Sequence, residues 1–325
     1  MTTVDIVGGG LAGLAVAASL DSQRFHVRLH EHNPGSRRWG TVLGMWPSGM
    51  KALDHLGIGD QVRAASVKAD GASIFTCTGR RLIFTIPPGD SWLIPRPDLL
   101  ELLDAAVPDT VERIIERADP ASLTGDVVIA ADGVRSGVRQ HAFGTEAIES
   151  GTMALRGLVD GPMERYSPHQ RGLREYWGRR SLFGLSPNSH DDTHWYAAMP
   201  EFQTTPAEAL EWARDHYRDF PAPVQAVLAA ADPRDTIINR IVEAPLTRTL
   251  VKGRFVLIGD AAHAMSPNLG RNAAEAMVDA AVLAQELSRH APAEALKRYE
   301  RRRLLLGQAV RLASTGVRKV ALRWP

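Results

Sequence analysis

The stretch Val4-Asp5-Ile6-Val7-Gly8-Gly9-Gly10-Leu11-Ala12-Gly13, continued by LAVAASL to Leu20, decides the fold. The apolar run Val4–Val7 reads as a short buried strand. Leu11–Leu20, with apolar Leu11, Leu14, Ala15 and Ala18, reads as a helix. Phe25–His30 is a second strand-like run, so the chain opens as a βαβ unit. Between strand and helix, Gly8, Gly10 and Gly13 stand at G-x-G-x-x-G spacing. Gly8 permits the tight turn, Gly10 leaves room for a pyrophosphate, and Gly13 lets the helix pack on the strand. The amides of Leu11 and Ala12 at the helix start, with its dipole, then meet the phosphates. A glycine-rich turn also occurs with no ligand. Glu31 argues for a ligand: it ends the second strand, 18 residues after Gly13, where a carboxylate accepts from ribose hydroxyls. It favours an unphosphorylated adenosine ribose, as in NAD or FAD.

A second strand end raises a similar question. Phe255-Val256-Leu257-Ile258 reads as a buried strand and is followed by GDAAHAMSPNLGRN, residues 259–272, and then by the helical AAEAMVDAAVLAQEL. Asp260 is either an ordinary turn residue or the holder of a cofactor's middle. Val127–Ala130 is one more apolar strand of the kind a parallel sheet buries on both faces. It leads into Asp132-Gly133 within IAADGVRSGVR.

Residues 151–200 differ in character. TMALRGLV, LREYW, SLFGLS and HWYAAM are short strand-like runs, with SPNSHDD as a polar turn between the last two. They predict an inserted antiparallel sheet. Thr205-Pro206-Ala207-Glu208 has capping-box spacing with proline at the first helical position, so EALEWARDHYRDF should be helical. From Glu294 the chain reads as helix, with Leu296, Tyr299, Leu306, Val310, Ala313 and Val317 near one face. From Lys297 onward it holds nine Lys or Arg and one acid, Glu300. That pattern reads as a solvated basic face, or else as a site for an acidic partner or anionic surface.

The expected fold class is α/β: a discontinuous Rossmann-like dinucleotide-binding domain, 1–150 with 245–325, around an inserted antiparallel substrate domain, 151–244, and closed by a helical segment. At 325 residues the chain suits about two domains. A formal net charge of +1 argues for no nucleic acid. Cys77, the one cysteine, excludes an internal disulfide and a cysteine-based metal site. No window reaches the ~18 uninterrupted apolar residues of a membrane span. The N-terminal stretch lacks a basic leader and carries Asp5, so a cytoplasmic protein is expected. His26, His30 and His32 flank Glu31, but strand alternation turns Glu31 away from His30 and His32, and no metal site is expected. Trp177, Trp195 and Tyr196 line a ligand cavity or belong to the core.

These motifs together resemble the class A FAD-dependent flavoprotein monooxygenases of the p-hydroxybenzoate and salicylate hydroxylase type. Further matches are GTVLGMWPSGMKALDHLGIGDQV, RPDLLELL from Arg96, Arg156-Gly157, and Tyr299-Glu300-Arg301-Arg302. The resemblance implies that Gly8, Gly10, Leu11, Ala12 and Gly13 cradle the pyrophosphate of bound FAD and that Glu31 holds its adenosine ribose. It places Arg96 at the phosphate region, Asp132 in a motif serving FAD and NAD(P)H, and Asp260 on the ribitol. Pro267, Gly270, Arg271 and Asn272 would run beside the isoalloxazine ring. It also implies transient binding of NADH or NADPH, since only one G-x-G-x-x-G is present, together with O₂ and an aromatic or polycyclic small-molecule substrate that is hydroxylated or epoxidised. The cofactor supplies the reactivity; no catalytic side chain is assigned.

Two departures stand out. PDTVERIIERADPASLTGDVVIAADG passes from a single strand-like run almost directly to the Asp-Gly motif, where the family carries a hairpin. Gly270-Arg271-Asn272 stands where the family reads G-Q-G-A-N. At position 272 an asparagine tolerates left-handed geometry and caps a helix, and Arg271 adds a positive charge that either lies near the ring, where it would raise the reduction potential, or points to solvent. The departures keep open another flavin-dependent oxidoreductase on the same scaffold, or a catalytically degenerate FAD-binding accessory protein. The substrate and the oligomeric state are not legible.

Overall fold

In the computed structural model, residues 1–34, 42–86, 91–168, 172–189 and 191–325 are described. Gly40 and Thr41, which open one of the matching stretches, and His190 of the polar turn lie outside them. The strands are β1 (Thr2–Val7), β2 (Phe25–His30), β3 (Val42–Met45), β4 (Val67–Lys68), β5 (Ala72–Thr76), β6 (Arg81–Ile86), β7 (Trp92–Pro95) and β8 (Glu112–Ile114). They continue as β9 (Val127–Ala130), β10 (Ile148–Asp160), β11 (Leu173–Gly178), β12 (Ser181–Pro187), β13 (Asp192–Pro200), β14 (Thr236–Glu243), β15 (Val251–Lys252) and β16 (Phe255–Leu257).

The first helices are α1 (Leu11–Ser19), α2 (Pro47–Leu56), α3 (Gly59–Ala64), α4 (Arg96–Ala105), α5 (Gly137–Phe143) and α6 (Met163–Tyr166). After them come α7 (Pro206–His216), α8 (Ala222–Ala230), α9 (Asp260–His263), α10 (Asn272–Arg289) and α11 (Pro292–Ala321).

The first sheet has the order β15-β16-β9-β1-β2-β8. Its strands run parallel apart from the β15–β16 pair. β9 is apolar and buried at every position, and α1, α4 and α10 add Leu14, Leu99 and Leu283 to the same core. In an open parallel sheet, ligands bind beyond the carboxyl ends of the strands. Gly8, Glu31, Asp132 and Asp260 all follow such ends, on β1, β2, β9 and β16. Residues 115–126, between β8 and β9, contain no strand.

The second sheet has the order β14-β10-β13-β12-β11-β5-β6. It draws β5 and β6 from within residues 1–150, through parallel pairing of β5 with β11. One face carries Leu155, Phe183 and Trp195, covered by Leu210 and Tyr217 of the α7 region and Val224 of α8. The capping box at Thr205 forms: its hydroxyl accepts from the Glu208 amide, and the Glu208 carboxylate accepts from the Thr205 amide. β3, β7 and β4 make a small third sheet. Among the described residues no helix is long and apolar enough to cross a membrane.

α11 bears out the expected helix face at its start, where Leu296 and Tyr299 are buried, and departs from it further along. Leu306 is 60% exposed, and Ala313 is exposed as well. The buried side instead carries Arg303, Gly307, Arg311, Ser314 and Arg318. Three of the nine basic residues therefore face inward. Arg303 meets Glu275 and Asp279, Arg311 donates to the Ala244 carbonyl, and Arg318 reaches Ser266 and Glu243. Apolar periodicity failed here because the face meets polar loops and carboxylates, which arginine satisfies and leucine would not.

Candidate functional site

The glycine turn after β1 is shaped by close backbone approach. Gly8 has φ +103°, and a Cβ there would fall 2.4 Å from the Ala131 carbonyl oxygen. A Cβ on Gly13 would lie 1.8 Å from the Gly8 carbonyl oxygen. Gly10, the N-cap of α1, has open space on its Cβ side and no side-chain cap. The amides of Leu11 and Ala12 at the helix start are thus left for an anion. Glu31 closes one side of this cradle: its carboxylate accepts from the Gly9 amide at 2.8 Å and the Asn33 amide at 2.7 Å. The strand ends at His30, so alternation stops there, and His32 Nδ1 lies 3.4 Å from Glu31 instead of facing away from it. His30 packs against Asp5 and Glu116, and no metal-binding group occurs among the described residues.

Asp132 stands just past β9. Its Oδ2 accepts from the Val138 amide at 3.1 Å, while Oδ1 is buried with no partner. Burial pushes this carboxyl above its ordinary pKa, against the hydrogen bonds from Ser136 and the α5 amides. Arg139, which the sequence reading passed over, is buried in the same motif. It donates to the Ala261 carbonyl at 2.9 Å and the Val134 carbonyl at 2.5 Å, tying the Asp-Gly loop to the Asp260 segment.

Asp260 begins α9 after Gly259, whose φ is +55°. Asp260 is exposed where it lines a cavity of about 380 Å³, with protein atoms crowded around its carboxyl. Val134 and Arg135 line this cavity from the Asp-Gly loop, Ala264 and Asn272 from the Asp260 segment, and Ile238 and Arg240 from β14 of the second sheet. Burial raises the Asp260 pKa, and the charges of His263 and Arg96 with an Asn272 hydrogen bond hold it back. Arg96 begins α4, and its charge is among those acting on Asp260.

The loop after it differs from expectation in two ways. Left-handed geometry falls on Gly270, φ +58°, and not on Asn272, which is already helical. Asn272 does not cap α10; its amide turns back to the Met265 carbonyl at 2.9 Å, leaving Oδ1 buried and unpartnered. Arg271 neither points to solvent nor stands as a free charge. It pairs with Glu275 at 2.7 Å and lies 5.5 Å over the Trp46 ring. Pro267 starts a short 3₁₀ turn, and Trp46 Nε1 donates to the Gly270 carbonyl at 3.1 Å, pinning the loop to α2.

Behind the loop runs a buried chain of charges that the sequence did not reveal. Glu275, Asp279, Arg303 and His263 are all buried. Their only signal was acids on an otherwise apolar helix.

The second sheet presents its other face to this loop. Arg318 of α11 reaches both Ser266 and Thr152 on β10, and Arg156 is four residues further along the same face. Arg156 pairs in register with Tyr196, and Tyr196 with Gly184. A Cβ on Gly184 would lie 2.0 Å from the tyrosine ring, so the glycine lets Tyr196 lie across β12. Tyr196 donates to Glu175 at 2.6 Å, as does Trp177 Nε1 at 2.7 Å. His194 stacks on Tyr196, and burial followed by the Arg156 charge lowers its pKa to about 3, so it is neutral. Arg156 has no carboxylate partner among the described residues. Trp195 belongs to the opposite, core face, stacked on Phe183.

Comparison with known proteins shows the family and the fold. Residues 108–314 match the family described as FAD binding domain, and residues 6–37 match the NAD(P)-binding Rossmann-like domain. The chain is 28% identical to aurachin C monooxygenase/isomerase of Stigmatella aurantiaca, over 92% of this chain and 84% of that protein. It is 30% identical to 2-heptyl-3-hydroxy-4(1H)-quinolone synthase of Mycobacteroides abscessus, over 91% and 84%. Among solved structures, Klebsiella pneumoniae HpxO complexed with FAD and uric acid superposes with a TM-score of 0.86 at 22% identity, covering 99% of this chain and 89% of that one.

Proposed function

The chain belongs to the FAD-dependent monooxygenases, and from that premise we propose that it hydroxylates or epoxidises an aromatic or heteroaromatic small molecule carrying an acidic group. The observation that carries this reading is Arg156 on β10, paired in register with Tyr196 and without a carboxylate partner among the described residues, on the sheet face that Arg318 ties to Ser266. The residues fit FAD. Gly8 and Gly13 let the turn close tightly on Ala131 and on itself, Gly10 faces open space at the helix start, and Asp132 and Asn272 each present a buried, unpartnered oxygen. Gly8, Gly10, Leu11, Ala12 and Gly13 would hold the pyrophosphate, Glu31 the adenosine ribose, Arg96 the phosphate region and Asp260 the ribitol. Asp132 would bound the trough, and the loop of Pro267, Gly270, Arg271 and Asn272 would flank the ring.

Bound FAD, reduced by transient NADH or NADPH, supplies the oxygen-activating chemistry, with O₂ as co-substrate. The protein's own part is placement. Tyr196, fixed by Glu175, supplies an aromatic wall. Arg156 offers an uncompensated guanidinium that an acidic substituent neutralises, and neutral His194 adds a hydrogen-bonding group without competing charge. α11 and the 264–267 segment close the opposite side and exclude water.

The test is NAD(P)H and O₂ consumption with ¹⁸O₂ over a panel of aromatic acids and their amides. Label should enter an acid product, and Arg156→Met should raise KM for the acid by about tenfold while leaving the amide nearly unchanged, as loss of one charged hydrogen bond requires. Equal effects on acid and amide would remove the acidic-substrate assignment.

A further inference from the structure

The outer face of α11 is not the solvated basic surface that its composition predicts. Every exposed residue from Leu305 to Gly316 is apolar or glycine: Leu305, Leu306, Ala309, Leu312, Ala313 and Gly316. Val320 continues the row. At roughly 100° per residue, Leu305, Ala309, Leu312, Gly316 and Val320 share a stripe about 80° wide, with Leu306 and Ala313 along one edge. Leu305 is 79% exposed, and Leu306, Leu312 and Val320 are each more than half exposed. These four are among nine exposed large apolar side chains of the described residues, and no other element holds more than one. Scattered apolar residues on a surface need no explanation, whereas a contiguous row does.

Cations stand at both ends of the row. Lys297, Arg298, Arg301 and Arg302 precede it, Lys319 and Arg323 flank its end, and all six are exposed. Arg298 pairs with Glu294 and Arg302 with Glu286. Lys297, Arg301, Lys319 and Arg323 have no carboxylate partner among the described residues. The one acid from Lys297 onward, Glu300, turns inward and accepts from the Leu250 and Val251 amides. A second copy of the chain is a poor occupant for such a face. Antiparallel pairing through the row sets Arg301 against Arg323, parallel pairing sets each cation cluster beside itself, and no acid relieves either. α11 does not cross a bilayer either, since its inner side carries Arg303, Arg311 and Arg318.

We propose that the outer face of α11 docks the protein on the surface of an anionic lipid bilayer, with the leucine row in the interfacial region and the flanking cations on lipid phosphates. A helix lying in that plane needs an apolar stripe for the acyl boundary and basic groups for the headgroups, and α11 presents both. The row from Leu305 to Val320 is about 22 Å long. Its inner side holds the Ser266 loop and β14 through Arg318, so docking sets the candidate site about one helix diameter from the headgroups.

The experiment is co-sedimentation of the full chain with vesicles of phosphatidylcholine alone and of phosphatidylcholine with phosphatidylglycerol at about three to one, in low salt and in about 0.5 M salt. The parent should bind the anionic vesicles, leave phosphatidylcholine largely unbound, and bind more weakly in high salt. Leu305→Glu with Leu312→Glu should abolish binding. Arg301→Gln, Lys319→Gln and Arg323→Gln together should weaken it by at least roughly tenfold. These side chains are exposed, so both variants should melt like the parent. No binding to the anionic vesicles, or equal binding to both kinds, would overturn the proposal. Binding that survives both variants would overturn it by placing the contact elsewhere. A parent that is dimeric by light scattering and made monomeric by Leu312→Glu would give the row to a second copy and overturn it as well. Should the leucine variant fail to fold, the charge variant and the two vesicle compositions decide by the same criteria.

Discussion

Asp260→Ala removes an acceptor whose one hydrogen-bond partner within the fold is Asn272, so the loss should appear in cofactor binding more than in stability. A charged hydrogen bond is worth about 1.5–3 kcal/mol, so FAD affinity should fall roughly ten- to a hundredfold by titration, with little change in the apoprotein melt. Glu31→Gln should weaken FAD modestly, and Glu31→Arg far more, since the second adds a cation where the first keeps one acceptor. Equal affinity in both would place the adenosine ribose elsewhere. Arg271→Gln should leave the flavin midpoint potential unchanged, because Glu275 at 2.7 Å already balances the guanidinium; a lowered potential on spectroelectrochemical titration would show that its charge reaches the ring. Gly8, Asp132 and Asp260 were legible in sequence because each follows an apolar strand. Arg139, His263 and Asp279 were not, since a buried charge is recognised by a partner distant in sequence, as Arg303 lies 24 residues from Asp279.

Among the elements, β2 and β9 have the bounds their apolar runs predict, and the Thr205 box opens α7 as its spacing requires. α11 shows where periodicity misleads. Leu306→Lys should change stability by no more than about 0.5 kcal/mol, because that side chain is exposed. Arg303→Met should cost about 3 kcal/mol by removing the buried cation that Glu275 and Asp279 share, leaving them only Arg271 and His263. Denaturant melts of the two variants check both, and the opposite ranking would restore the apolar-face reading. The same chain sets a pH window. Burial pushes the Asp279 pKa up, but His263 and Arg303 outweigh it and bring it down to about 2. Its stabilisation is present above the unfolded value near 3.8 and is lost as pH falls toward 2. His263, raised above 6.5, stabilises fully below that value and loses its contribution as pH climbs through its folded pKa. Denaturant melts of His263→Gln and the parent should therefore converge at alkaline pH. A stability difference that stays constant with pH would contradict the raised His263.

At the scale of the molecule, the second sheet was only partly legible. Its antiparallel core followed from four alternating runs, but β5 and β6 join through parallel pairing with β11, about a hundred residues away, and no local pattern announces that register. The two sheets meet through α11, where Arg318 bonds Ser266 of the loop and Glu243 of β14. The central claim is that this junction is a flavin site. The visible spectrum of the purified protein, supplied with FAD and then with NADH or NADPH under nitrogen, tests it most directly. The account predicts a yellow protein whose flavin absorbance bleaches on addition of the nicotinamide and returns with air, and an Asp260→Ala variant that loses most of its colour on gel filtration. A folded protein that stays colourless in excess FAD would contradict it.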